Sequence, residues 1–101
     1  MSDPKIPEID SFLHEPARLR LLIYLSVLEA GDFMYLLRQS GMSRGNLSVQ
    51  MTKLEEACIV TVDKSLVNNR PRTTYSLSVE GRKALGRYKQ AMEDVLRSLP
   101  D

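Results

Sequence analysis

One short stretch of the chain joins basic side chains in a way that suits anion binding. In Arg70-Pro71-Arg72, a proline stiffens the backbone between two guanidinium groups, and Lys64 precedes them on what reads as an adjacent strand. A guanidinium group can donate paired hydrogen bonds to phosphate or carboxylate oxygens. The stretch therefore predicts contact with phosphate groups; the alternative is that Arg70 and Arg72 are simple solubilising charges on a loop.

A second stretch is polar on one side only. At helical spacing, Leu47, Met51 and Leu54 share one face, so the remaining side chains face outward. Those side chains are small or mixed-polar, and Glu56 follows them one turn later, where it would repel phosphate. We expect the first half of this helix to approach an anionic partner. The candidate residues are Ser43, Arg44, Gly45, Asn46, Ser48, Val49, Thr52 and Lys53.

The residue types for catalysis or metal binding are sparse. The chain has one cysteine, Cys58, and one histidine, His14, so it can form no internal disulfide and no ligand cluster within one subunit. No nucleophile is paired with a base in a known motif, and we predict neither an enzyme nor a cofactor. We expect Cys58 to be a small buried residue at a helix end. A metal or redox sensor that shares Cys58 across a dimer stays open as an alternative.

Length and charge limit the remaining possibilities. The 101 residues, 43% of them hydrophobic, suffice for one core. The net charge of +1 excludes a generic polycation, so anion binding has to depend on where the charges lie. No stretch is apolar enough to span a membrane, and we expect a cytoplasmic protein. Residues 1–11 read as a flexible arm and residues 12–101 as a single domain.

Helical patterns fill most of that domain. The first helix should run from Ala17 to Ala30, with Gly31 as its stop, and it is apolar almost all round. Asp32 and Ser43 are plausible N-caps for helices over residues 33–40 and 44–57, which are separated by Gly41 and Met42. These two helices form a helix-turn-helix candidate.

The second half of the chain predicts a hairpin and a last helix. Val60 and Val62, and later Tyr75 and Leu77, alternate with polar residues as in two half-buried strands, and residues 66–73 read as the loop between them. The last helix opens at Ser78. Its apolar residues alternate spacings of three and four, as in a coiled coil.

Two helices therefore carry more apolar surface than we expect one small domain to cover. We predict a homodimer through the first and last helices. The expected interface residues are Leu21, Tyr24, Leu25, Leu28, Leu85, Tyr88, Met92, Val95 and Leu99.

Five stretches in this order resemble winged helix-turn-helix transcriptional regulators related to the MarR and ArsR groups. They are His14-Glu-Pro-Ala-Arg-Leu-Arg, Gly45-Asn-Leu-Ser, Lys53-Leu-Glu-Glu-Ala, Arg70-Pro-Arg-Thr-Thr-Tyr-Ser-Leu and Glu80-Gly-Arg-Lys-Ala-Leu. The resemblance implies a mostly helical α+β fold with four helices, a two-stranded β-wing and a long C-terminal dimerisation helix. It also implies a prokaryotic, repressor-like dimer that binds double-stranded DNA, with the third helix in the major groove and the wing at the flanking backbone or minor groove.

The same fold can also serve protein association. In that alternative Ser48, Val49 and Thr52 would contact another protein instead of bases, or would form an ordinary solvated helix face. The sequence does not tell whether a small-molecule effector binds.

Overall fold

Four helices and a small antiparallel sheet make up the protein. The computed structural model describes residues 6–101; residues 1–5 of the expected N-terminal arm lie outside the described residues. The elements are α1 (Pro16–Val27), β1 (Gly31–Asp32), α2 (Phe33–Ser40), α3 (Arg44–Glu56), β2 (Val60–Val67), β3 (Arg70–Leu77) and α4 (Val79–Arg97). The predicted winged-helix architecture is confirmed.

The end of α1 differs from the prediction. The helix stops at Val27 because Leu28 is already extended, and Gly31 belongs to a short strand. Gly31 and Asp32 pair with Tyr75 and Thr74 of β3, so the sheet has three strands in the order β1, β3, β2. The predicted two-stranded wing therefore carries a third strand at its base.

The caps of α2 and α3 follow the prediction. The Asp32 carboxylate accepts a hydrogen bond from the Tyr35 N–H at 2.7 Å, and Gly41 ends α2 in the left-handed region at φ 69°. The Ser43 hydroxyl accepts from the Asn46 N–H at 3.1 Å and so starts α3. These caps fix the short turn between the two helices.

The end of α3 takes a form that the sequence did not indicate. Cys58 has φ 61°, its N–H donates to the Glu55 carbonyl, and the Ile59 N–H donates to the Leu54 carbonyl. This is the Schellman pattern, in which the left-handed position is most often glycine. Cys58 is exposed, so the expectation of a buried cysteine is wrong.

The wing is more regular than predicted. Strands β2 and β3 pair continuously from Val60 opposite Leu77 to Val67 opposite Arg70. Only Asn68 and Asn69 form the turn, and both have positive φ, as a two-residue hairpin turn of type I′ requires. The predicted loop over residues 66–73 is therefore mostly strand, and Arg70 and Arg72 lie on β3.

A single core joins α1 and α3 to the base of the wing and the first turns of α4. Its fully buried side chains are Leu13, Leu21, Leu22, Leu25, Leu36, Leu47, Met51 and Leu54. Three residues expected at a dimer interface, Leu21, Leu25 and Tyr88, are buried inside their own chain. One subunit covers α1 more completely than its apolar character suggested, because α2 and the sheet also pack on it. That part of the interface prediction is wrong.

The other expected interface residues remain at least partly accessible. Tyr24, Leu28, Leu85, Met92 and Val95 are half-buried, and Leu99 is exposed. The described part of the chain has no helix with both the length and the hydropathy needed to cross a membrane.

Candidate nucleic-acid interface

The outer face of α3 is exposed and mostly polar. Leu47, Met51 and Leu54 are buried on the inner face, as predicted. All the α3 candidates and the Ser43 cap are exposed, and Val49 keeps 51% of its surface accessible. A methyl-bearing side chain among hydroxyl and amide groups is the mixture that base edges in a major groove can match.

Gly45 is the least obstructed position on this face. A β-carbon built there would meet no atom within 4 Å. Glycine inside a helix costs about 0.5–1 kcal/mol relative to alanine, and here no neighbouring atom requires it. The open space in front of the backbone is what a close partner would need.

The wing places its basic groups on two different faces. Arg72 pairs with Ser65 and Arg70 with Val67, whereas Lys64 pairs with Thr73. Since side chains alternate along a strand, Arg70 and Arg72 share one face and Lys64 lies on the other. The structure therefore separates Lys64 from the two arginines with which the sequence grouped it.

A groove of about 840 Å³ lies between α2 and the wing. Arg38 faces it from α2, and Arg70 and Arg72 from β3. The sequence reasoning missed Arg38, because a lone arginine on a short helix looks like any solvated charge. The lining is Asp32, Phe33, Met34, Arg38, Val67, Asn68, Arg70, Pro71, Arg72 and Thr73.

This groove adjoins the start of α3. The Arg44 Nη2 atom lies 3.7 Å from the sulfur of Met34, which itself lines the groove. Met34 and Arg38 are four residues apart on α2 and so share one helix face. Basic side chains thus extend from the first turn of α3 across α2 to the wing.

Arg18, on α1, forms hydrogen bonds that connect α1 to α3 and to the segment before α1. Its side chain is 8% exposed; Nη1 donates to the Phe12 carbonyl at 2.6 Å, and Nε donates to Oε1 of Gln50 on α3 at 3.1 Å. The guanidinium also lies 4.2 Å from the centroid of the Phe12 ring, a cation–π contact. Arg18 therefore ties α1, the N-terminal segment and α3 together.

The start of α1 has its own electrostatic feature. The Glu15 carboxylate accepts hydrogen bonds from the Arg18 N–H at 2.8 Å and the Ala17 N–H at 3.2 Å. These bonds lower the pKa of Glu15 below its ordinary value of 4.5. Glu15 thus caps α1, and Pro16 follows in the first turn.

His14 and Cys58 lie apart from this surface. Nδ1 of His14 is 2.7 Å from the Tyr88 hydroxyl, which joins the segment before α1 to α4. The backbone carbonyl of Cys58 accepts a hydrogen bond from the Ser78 hydroxyl at 2.6 Å. Among residues 6–101, no three His, Cys, Asp or Glu side chains lie close enough to hold a metal ion.

The chain is similar to known proteins in sequence and in fold. The model of the winged helix DNA-binding domain family matches residues 17–96. An uncharacterized protein of Methanocaldococcus jannaschii is 34% identical over 71 residues, which are 70% of this chain and 77% of that protein.

Two solved structures share the fold of this chain. A transcriptional regulator homologue from Pyrococcus horikoshii superposes with a TM-score of 0.84 at 24% identity, over 91% of each chain. A MarR-like transcriptional regulator from Thermotoga maritima superposes with a TM-score of 0.67 at 16% identity, over 92% of this chain and 66% of that one.

Proposed function

The chain belongs to the winged helix DNA-binding domain family, and from that membership we propose that it is a homodimeric transcriptional regulator that binds specific sequences in double-stranded DNA. Two copies of α3 enter successive major grooves of a pseudo-palindromic site, about one helical turn apart. Occupation of a promoter by the dimer would then repress transcription.

The outer face of α3 carries this proposal. It is exposed over its whole first half, begins at a side-chain cap and has open space at Gly45. A solvated helix face would not need that glycine, and an enzyme would need a cleft instead of a convex helix. Insertion into a groove accounts for both features.

Each exposed group then has a role suited to its chemistry. Arg44 and Lys53 contact phosphates beside the groove. Asn46, Ser48 and Thr52 offer amide and hydroxyl groups to base edges, and the Val49 methyls suit the methyl group of thymine. Ser43 caps the helix, and the amide groups behind it favour a nearby phosphate.

Dimerisation rests on apolar side chains that one chain leaves uncovered. On α1, Ile23 and Val27 are 52% and 80% exposed and lie four residues apart, on one face. At the end of α4, Leu96 is also exposed, and so is Leu99, which follows the helix. The molecule is elongated, with principal extents of 66, 26 and 21 Å. Apolar side chains at both sites favour a second copy of the chain as the partner.

The decisive experiment selects bound sequences from random duplex DNA and then titrates the selected duplex at several salt concentrations. We expect one enriched pseudo-palindrome and an affinity that falls as salt rises, because released counterions drive phosphate contact. Thr52→Ala should relax the preference at one base position, whereas the exposed Arg82→Gln on α4 should not. Absence of binding at low salt would overturn the proposal and favour protein association through the same face.

Light scattering tests the dimer separately. A mass near twice 11.5 kDa at micromolar concentration is expected, and a mass near 11.5 kDa would contradict the dimer.

A further inference from the structure

The groove between α2 and the wing is built on an unpaired strand edge. Strand β1 pairs with β3 only at Tyr75 and Thr74, so the same edge of β3 is open from Thr73 to Arg70. The chain leaves β1 at Asp32 and enters α2 at once, which puts α2 beside this open edge. Pro71, which has no N–H to donate, is tolerated on a strand with an open edge.

The charges of the groove are unbalanced. Arg38, Arg70 and Arg72 line it, and Asp32 is the one carboxylate among its lining residues. The Asp32 carboxylate already accepts the Tyr35 N–H of α2. Within residues 6–101 none of the three guanidinium groups lies within 4.0 Å of a carboxylate oxygen. Three unpaired guanidinium groups around one groove favour an anion as its occupant.

We infer that this groove holds a backbone phosphate of the bound duplex, with Arg38 of α2 contacting it together with Arg70 and Arg72. The inference rests on the proposed function and adds to it, because it assigns a DNA contact to α2. It also decides between the two roles open to the wing arginines: they contact the backbone and do not enter the minor groove.

Continuity with α3 argues for DNA over a free small anion. Arg44, at the start of α3, contacts Met34, and Met34 lines the groove. A duplex whose major groove receives the first turn of α3 brings its sugar-phosphate backbone past the same edge of the protein. A phosphate of that strand can then reach Arg38 with no change in the fold.

The test is a chemical double-mutant cycle on the selected duplex. Single phosphates are replaced one at a time by neutral methylphosphonates, and each duplex is titrated with wild-type protein, Arg38→Gln, Arg38→Lys and the control Arg82→Gln. At the phosphate held in the groove, we expect the replacement to weaken the binding of wild-type protein more than that of Arg38→Gln, in which only Arg70 and Arg72 remain to contact the phosphate. Because the proposed dimer has two such grooves, the log-log salt slope of Arg38→Gln should be smaller by up to about 1.8, twice the value for one phosphate contact. Arg38→Lys should restore the slope, and Arg82→Gln should match wild type.

The outcomes separate the inference from the proposed function. If wild-type protein binds no duplex, both are overturned. If it binds but Arg38→Gln behaves like Arg82→Gln, the groove inference alone fails. The inference also fails if Arg38→Gln weakens binding by the same factor on every methylphosphonate duplex, since that indicates a diffuse charge effect. It fails as well if exchanging A·T for G·C pairs beside the site changes the loss of affinity caused by Arg38→Gln, since that indicates minor-groove insertion. Arg38 is exposed, and thermal unfolding will show that its variants fold.

Discussion

Gly81 of α4 lies directly against the carbonyl oxygen of Ile59, with no room for a β-carbon between them. The same carbonyl accepts the Ser78 N–H at 2.9 Å, and the Ser78 hydroxyl in turn accepts the Gly81 N–H at 2.8 Å. The first turn of α4 is thereby fixed onto the corner where α3 passes into β2. The direction in which α4 leaves the domain depends on this contact.

Replacing Gly81 with alanine should therefore destabilise the fold. The added methyl group has to displace backbone atoms, and overpacking of this kind costs about 1–3 kcal/mol. Gly86→Ala, on the same helix and with no atom within 4 Å of a built β-carbon, is the matched control. It should raise the free energy of unfolding by about 0.5–1 kcal/mol. Urea unfolding measures both, and equal effects of the two substitutions would contradict the close contact.

Gly45→Ala should separate stability from DNA binding. Since its β-carbon has open space, the substitution should raise the free energy of unfolding by about 0.5–1 kcal/mol. It should lower affinity for the selected duplex about tenfold, because the methyl group enters the space that the DNA needs. Gly86→Ala should stabilise the protein without changing affinity. A Gly45→Ala variant that is more stable and binds as well as wild type would indicate a merely solvated face.

Cys58→Gly should stabilise the protein, although it removes a side chain. Cys58 has φ 61°, a conformation that costs an L-residue about 1–2 kcal/mol and that glycine adopts without this cost. Part of the stability gained with glycine is offset, because glycine has more conformational freedom in the unfolded chain. We expect a net gain of about 0.5–1 kcal/mol in urea unfolding. Cys58→Val should lose stability, since β-branched residues tolerate positive φ least. The opposite order of the two variants would contradict the left-handed helix end.

Ile23→Lys with Val27→Lys should weaken the proposed dimer. Both side chains are exposed in a single chain, so two lysines there cost the monomer little but place charge in an apolar interface. Light scattering over a dilution series should show that the double variant dissociates at a protein concentration at least tenfold higher than wild type does. Val79→Lys, at the start of α4 and 70% exposed, is the control. Unchanged self-association of the double variant would exclude α1 from the interface.

The Glu15 cap predicts a specific loss of stability in acid. Hydrogen bonds from the Arg18 and Ala17 N–H groups lower the pKa of Glu15 below 4.5 in the folded state. Its contribution is therefore complete above the unfolded pKa and is lost as pH falls through the lower folded pKa. Glu15→Gln should be less stable than wild type at pH 7, and the difference should shrink below about pH 4. Glu93→Gln, an exposed position late in α4, should show no such convergence in thermal unfolding.

The parts of the fold that the sequence predicted well are those with local signals. Asp32, Gly41 and Ser43 each act within one turn of chain, so the bounds of α2 and the start of α3 could be predicted from neighbouring residues alone. Strand β1 could not, because a two-residue strand has no periodicity and exists only through the edge of β3.

The candidate site, too, was predictable only where a local sequence pattern marks it. The outer face of α3 follows from the spacing of its buried residues. Arg38 joins the wing arginines only through the tertiary placement of α2, which no local pattern encodes. The outer half of the wing was predicted as loop because its strand residues are exposed on both faces, so no alternation of apolar residues marks them.

The two-residue turn at Asn68 and Asn69 restricts how the wing can change in evolution. The ladder below it is continuous, so a single residue inserted into one strand would slip the register by one and turn the outer residues of that strand, Lys64 in β2 or Arg72 in β3, to the opposite face. One residue inserted into or deleted from each strand together keeps the register and changes the reach of the wing, while the side chains beyond the change turn to the opposite face. Homologues with the same turn should therefore differ in wing length by even numbers of residues, and an odd difference should come with a bulge or a new turn type.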